Sequence, residues 1–116
     1  EIYDIVLEAQ LTALERIKPG MTGKEADAIA RDLITSRGYG DYFGHGLGHG
    51  LGMEIHEEPR LSKTGAFVLE PGMIVTVEPG IYIPGFGGVR IEDDVVVTET
   101  GVRRLTKSSK QLEVLN

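Results

Sequence analysis

Residues 73–98 read MIVTVEPGIYIPGFGGVRIEDDVVVT. Met73–Glu78 alternates and is rich in β-branched side chains, which predicts a strong strand, and Val95–Thr98 predicts another. Ile81–Ile83 and Val89–Glu92 are shorter strand candidates. Glu99-Thr100-Gly101 has the composition of a tight turn, and the polar stretch 107–116, KSSKQLEVLN, has a little strand character at its end. Alternate side chains of a strand share a face. Ile74, Thr76 and Glu78 therefore share one face, as do Arg90, Glu92 and Asp94. If these strands pair, Glu78 and Glu92 can face each other across the ladder, and two close buried carboxylates repel unless a cation lies between them. The plain alternatives are that Glu78 ends a strand before Pro79-Gly80 and that Glu92-Asp93-Asp94 is a solvated face.

Upstream of this segment the pattern is helical. Ile2, Ile5, Val6, Ala9, Ala13, Leu14 and Ile17 recur at spacings of three and four, predicting an amphipathic helix over 2–17. Lys18-Pro19-Gly20 ends it. Thr22-Gly23-Lys24-Glu25 matches a capping box that opens a second helix, whose stripe is Ala26, Ile29, Ala30, Leu33 and Ile34. Gly38 and Gly40 close it. Helices first and strands afterwards predict an α+β fold, a crossed or antiparallel helix pair on a mainly antiparallel sheet. The chain of 116 residues is long enough for a single domain, 1–116, with one core. It begins at Glu1 without Met or an N-cap and reads as a piece of something longer.

Between the two halves lies FGHGLGHGLGMEIHEEP, residues 43–59, which holds all three histidines of the chain, His45, His49 and His56. Glycine stands at every second position from Gly44 to Gly52. Such a run requires either close backbone approach or unusual torsions. Leu51–His56 is a plausible strand. His45 and His49 share a face if the segment is extended; His56 has the opposite parity and joins them only through a bend. Imidazole with carboxylate suits divalent manganese, iron, cobalt or zinc. The run is neither a phosphate loop nor a dinucleotide fingerprint, since no Gly-Lys-Ser/Thr, feeding strand or following helix accompanies it. Gly-x-Ser-x-Gly and His-Glu-x-x-His are absent as well.

Composition narrows the classes. The chain is 41% hydrophobic and 26% charged, with a net charge of −6 and no cysteine. The charge argues against nucleic acid and anionic membrane surfaces as partners. Lack of cysteine excludes disulfides and thiol catalysis. No apolar run reaches the roughly 18 residues of a spanning helix, and a cytoplasmic setting is expected.

Taken together, GHGLGHGLGMEIHEEP (44–59), LEPGMIVTVEPGIYIPGFGGVRIEDDVVVT (69–98) and IKPGMTGKEAD (17–27) strongly resemble the metallopeptidases of the pita-bread fold. That group includes methionine aminopeptidase, Xaa-Pro aminopeptidase, Xaa-Pro dipeptidase and creatinase. GMEIHE and VRIEDDVVVT resemble the proline-specific members more closely. The resemblance covers essentially the whole chain and implies the C-terminal half of the catalytic domain. It implies His49, Glu78 and Glu92 as metal ligands, with Glu92 bridging two divalent ions, manganese foremost and cobalt, iron or zinc as alternatives. It also implies Glu78 as proton shuttle, His45 and His56 as substrate contacts, and Arg90 as the residue that orients Glu92. The expected substrate is a peptide with proline in second position. Two further ligands of the family are aspartates on an upstream strand hairpin. Asp4, Asp27, Asp32 and Asp41 do not match that context, so the metal site is expected to be incomplete and the 116 residues alone inactive. Exposed sheet edges would favour self-association into a homo-oligomer. A non-catalytic pita-bread binding module is the alternative, and a structural α+β domain with incidental histidines is a third.

Overall fold

A computed structural model describes residues 2–51, 60–105 and 109–113. Helix α1 (Ile2–Arg16) and helix α2 (Gly23–Ser36) come first. A short 3-10 turn at Gly40–Tyr42 follows. The strands are β1 (Gly48–His49), β2 (Arg60–Leu61), β3 (Ile74–Val77), β4 (Gly80–Ile83), β5 (Gly87–Val97), β6 (Val102–Arg104) and β7 (Ser109–Glu113). The architecture is α+β, with both helices packed together and α1 laid on β5.

Local chemistry sets the helix ends. Thr22 Oγ1 accepts from the Glu25 N–H at 3.1 Å, and Glu25 Oε1 accepts from the Thr22 N–H at 2.9 Å, so the capping box is complete. At the other end Gly38 takes φ +90°. The Tyr39 N–H reaches Ile34 O at 3.1 Å and the Gly38 N–H reaches Thr35 O at 3.0 Å, the two bonds of a Schellman motif. Val6, Ala9, Ala13 and Ile17 from the first helical segment and Ala26, Ala30 and Ile34 from the second are fully buried in one core.

β5 is the axis of the sheet. It pairs antiparallel with β3 and β4 along one edge and with β6 and β7 along the other. Val89, Ile91, Asp93, Val95 and Val97 are buried, whereas Arg90, Glu92, Asp94 and Val96 are half-exposed on the opposite face. One face therefore belongs to the core and the other stays open.

The sequence reading needs three corrections. Val89–Glu92 and Val95–Thr98 are not two strands: Gly87–Val97 is one strand of 11 residues. The acidic pair does not break it, because Asp93 is not on a solvated face. Asp93 is fully buried, accepts from Gln10 Nε2 and lies 3.7 Å from Arg104 Nη1. Next, Leu51 is not in a strand; extended pairing comes earlier, at Gly48–His49, with an isolated bridge from Gly50 to Val75. The remainder of that candidate, including His56, lies outside the described residues. Finally, Val102–Arg104 forms a strand that the sequence reading did not assign. The turn before it is as expected, with Thr98 N–H donating to Gly101 O at 2.8 Å.

Thr22→Ala removes one side of the capping box. It should cost about 1 kcal/mol and lower Tm by about 4 °C in a thermal melt followed by circular dichroism. An unchanged Tm would show that the cap does not hold α2.

Candidate functional site

The open face of β5 and the strand beside it carry the charged residues. The register that pairs Val77 with Asp93 is the same one that pairs Gly80 with Arg90. It places Glu78 opposite Glu92 across the break between β3 and β4. The break has a chemical origin. Pro79 has no N–H to give to a ladder, and the Glu78 N–H turns away from β5 to Leu47 O at 2.7 Å. Pro79 O still accepts from the Ile91 N–H at 3.3 Å, which keeps the register intact.

Two carboxylates so placed need positive charge. Arg90, two residues before Glu92 on the same face, supplies part of it: Nη1 lies 3.7 Å from Glu78 Oε1 and Nη2 lies 4.0 Å from Glu92 Oε1. The balance remains unfavourable to the ionised form. Burial pushes the Glu92 carboxyl above the ordinary carboxylate range, Glu78 raises it further, and Arg90 only partly offsets them.

His49 approaches the same carboxylate from the glycine-rich segment. Its N–H donates to Thr76 Oγ1 at 3.0 Å, and the Thr76 hydroxyl donates to Glu78 Oε2 at 2.7 Å. Thr76 thus ties the His49 backbone to the Glu78 side chain. His49 Nδ1 lies 3.0 Å from Gly50 O. A carbonyl oxygen only accepts, so Nδ1 carries a proton and the Nε2 of a neutral ring is a lone pair. That lone pair faces Glu78 Oε2 at 3.5 Å. Two acceptors in this position are reconciled by a proton on Nε2 or by a cation shared with the carboxylate. Nitrogen plus carboxylate oxygen is a donor set suited to a borderline divalent metal, and in this chemical sense His49, Glu78 and Glu92 fit one. Among the described residues, no three His, Asp or Glu side chains close around a single metal position.

Two of the alternating glycines, Gly46 and Gly48, answer to closeness, not to torsion. Gly44, Gly46, Gly48 and Gly50 do not adopt positive φ. A Cβ on Gly48 would fall 1.8 Å from Thr76 O, and one on Gly46 would fall 2.8 Å from Leu61 O. The segment lies flush against β3 on one side and β2 on the other, leaving no room for a side chain. This contact brings His49 to Thr76 and His45 into the same cavity.

That cavity, about 340 Å³, is lined by His45, His49, Arg60, Ser62, Glu78 and Arg90. Glu92 joins the group through Arg90. The structure therefore gathers His45, His49, Glu78, Arg90 and Glu92; His56 lies outside the described residues. Arg60, Ser62 and Thr76 are neighbours that sequence reading did not assign to the site. Arg60 reaches the cavity because β2 pairs with β1, placing it opposite His49, a tertiary pairing that no local pattern reveals. Thr76 did carry a signal, its shared strand face with Glu78.

Comparisons with known proteins place the chain by family and fold. The family model described as metallopeptidase family M24 matches residues 1–99. An uncharacterised peptidase of Bacillus subtilis is 64% identical over 115 residues, 99% of this chain and 33% of that protein. An Xaa-Pro dipeptidase of Pyrococcus furiosus is 62% identical over 112 residues, 97% of this chain and 32% of that protein. A solved Xaa-Pro dipeptidase of Bacillus anthracis superposes with a TM-score of 0.89 at 64% identity, covering 95% of this chain and 31% of that one. The chain has the α+β architecture of these pita-bread neighbours and spans about a third of the length of the curated relatives it matches.

Gly48→Ala tests the flush contact. The new Cβ meets backbone, which cannot swing aside, so the variant should lose about 3 kcal/mol in a urea titration. Wild-type stability would mean that β1 does not rest on Thr76 as described.

Proposed function

The chain belongs to metallopeptidase family M24, and from that premise we propose that it carries part of the active site of a metal-dependent exopeptidase that releases an N-terminal residue from a following proline. The observation that carries the reading is the facing of Glu78 and Glu92 across one register, with the His49 Nε2 lone pair turned to Glu78. Relatives named Xaa-Pro dipeptidase supply the substrate class. The acidic balance of −6 fits a peptide substrate better than nucleic acid.

His49, Glu78 and Glu92 are the residues that would hold metal. When bound, divalent ions, manganese foremost, supply Lewis acidity and lower the pKa of water. The protein groups have separate tasks. Glu78 moves a proton from the attacking water toward the leaving amine. Thr76 orients Glu78 by its 2.7 Å hydrogen bond, leaving the second carboxylate oxygen toward Arg90. Arg90 fixes Glu92 while limiting repulsion between the two acids. His45 and His56 are the residues that contact the substrate beside its scissile carbonyl.

Two further aspartates complete the ligand set that the resemblance implies. Asp27 does not serve, since both its oxygens are taken by Arg31 and the Leu47 N–H. By itself the 116-residue chain therefore has little or no peptidase activity. Leu51, Phe67, Val68 and Ile74 are exposed apolar side chains, which supports self-association of the isolated chain.

Calorimetric titration of manganese into the chain and into His49→Ala should show binding weakened at least tenfold in the variant, a loss of about 1.4 kcal/mol. Equal binding by both would remove His49 from the metal site. In a parallel assay, the unaltered chain with manganese should leave an Xaa-Pro dipeptide intact. Hydrolysis there would overturn the assignment of two missing ligands.

A further inference from the structure

Asp27 and Arg31 occupy successive turns of α2, one residue in the buried stripe and the other at its margin. Asp27 is 1% exposed, and a buried carboxylate left unpaired would be strongly destabilising. Arg31 meets it as a fork, Nε to Oδ2 at 2.7 Å and Nη2 to Oδ1 at 3.2 Å. An ion pair alone would need nothing more. Here the pair also holds the glycine-rich segment at three alternate residues. Arg31 Nη1 donates to Phe43 O and Nη2 to His45 O, each at 3.0 Å. Asp27 Oδ1 accepts from the Leu47 N–H at 2.9 Å. The guanidinium also lies over the Phe43 ring, 4.3 Å from its centroid.

All these contacts converge on His45. Its ring stands edge-on between Phe43, at 5.3 Å, and Tyr82, at 5.9 Å. Nδ1 lies 2.5 Å from Gly46 O, so Nδ1 carries the proton. Nε2 is buried, has no hydrogen-bond partner among the described residues, and sits where a Cβ on Gly80 would come within 3.2 Å. Leu47 is anchored independently: its N–H also reaches Leu61 O, and its carbonyl takes the Glu78 N–H. Removing Arg31 therefore leaves the segment pinned at Leu47 and releases the stretch that carries His45.

We propose that Asp27 and Arg31 are positioning residues for His45, holding its ring in the Nδ1–H tautomer with Nε2 buried beside Gly80. His49 has a separate support, Thr76, and does not depend on them. The inference rests on reading His45 as a substrate contact, but its test does not use hydrolysis.

Lysine at position 31 keeps the charge for Asp27, yet a single ammonium cannot fork onto the carboxylate and span two carbonyls. Nitrogen–proton correlation spectra of the imidazoles in the 116-residue chain, assigned by single His→Gln variants, read the tautomer of each ring. In Arg31→Lys the separation between the two His45 ring-nitrogen shifts should collapse toward a tautomer average, with His49 unchanged. A folded Arg31→Lys whose His45 nitrogens match the wild type would overturn the proposal. So would a variant in which His45 and His49 change together, since that marks general loosening. If Arg31→Lys does not fold, Asp27→Asn keeps an oxygen for Leu47 while uncoupling Arg31, and the same spectra decide. Failure of the peptidase reading would appear separately, as loss of manganese binding or of its dependence on His49.

Discussion

Two like charges, Glu78 and Glu92, stand opposite each other across one antiparallel register, and the surrounding structure is arranged about that conflict. Pro79 interrupts the ladder at this point. The interruption frees the Glu78 N–H for Leu47, so the same break that creates the facing pair also docks the histidine segment beside it. Arg90, His49 and Thr76 then approach the two acids from three backbone positions. Removed from this setting, the two carboxylates would be a local source of strain with nothing to hold them apart. Within it Glu78 lines a polar cavity, Glu92 is tied to it through Arg90, and the remaining electrostatic demand of the pair is for a cation.

The sheet makes such a wall affordable because its two faces carry different loads. Odd-numbered residues of β5 face the core and even-numbered residues face the cavity side. The adjacent acids Asp93 and Asp94 show the consequence. Asp93 points into the core and is matched by Gln10 from α1 and by Arg104 from β6. Asp94 is half-exposed and adds to the negative field at Glu92. Neighbours in sequence thus act in different environments, one in fixing α1 to the sheet and the other in the electrostatics of the site.

That division explains what was legible in the sequence. The helices were, because their signals are local: Thr22 with Glu25, Gly38, and the stripe Val6, Ala9, Ala13, Ile17. The α+β class and the shared faces of Thr76 with Glu78 and of Arg90 with Glu92 followed from strand parity. The continuity of β5 was not legible, since adjacent Asp residues normally end a strand and it takes Gln10, 83 residues away, together with Arg104 to make Asp93 acceptable. Nor was the choice between the two explanations for the glycines. Closeness and torsion predict the same residue type, and only the distance from Gly48 to Thr76 O separates them. Asp27 was seen as an aspartate outside the ligand pattern; its fork with Arg31 was readable as an i,i+4 pair, but its hold on Leu47 was not.

The glycine-rich segment is best understood as a backbone recognised from both sides. Side chains at Gly46 or Gly48 would lift it from β2 and β3, and the supports that reach it do so through main-chain atoms: Thr76 to the His49 N–H, Arg31 to the carbonyls of residues 43 and 45, Asp27 to the Leu47 N–H. Holding the main chain leaves the imidazoles free to be specified by their own ring hydrogen bonds. In both His45 and His49 that bond runs from Nδ1 to the carbonyl of the next residue. The same local device therefore sets the same tautomer twice, and what differs is the surroundings left to Nε2: a carboxylate for His49, and a buried position beside Gly80 for His45. The proposed metal-binding role of His49 and the proposed substrate contact of His45 rest on that difference in surroundings, since the rings themselves are prepared alike.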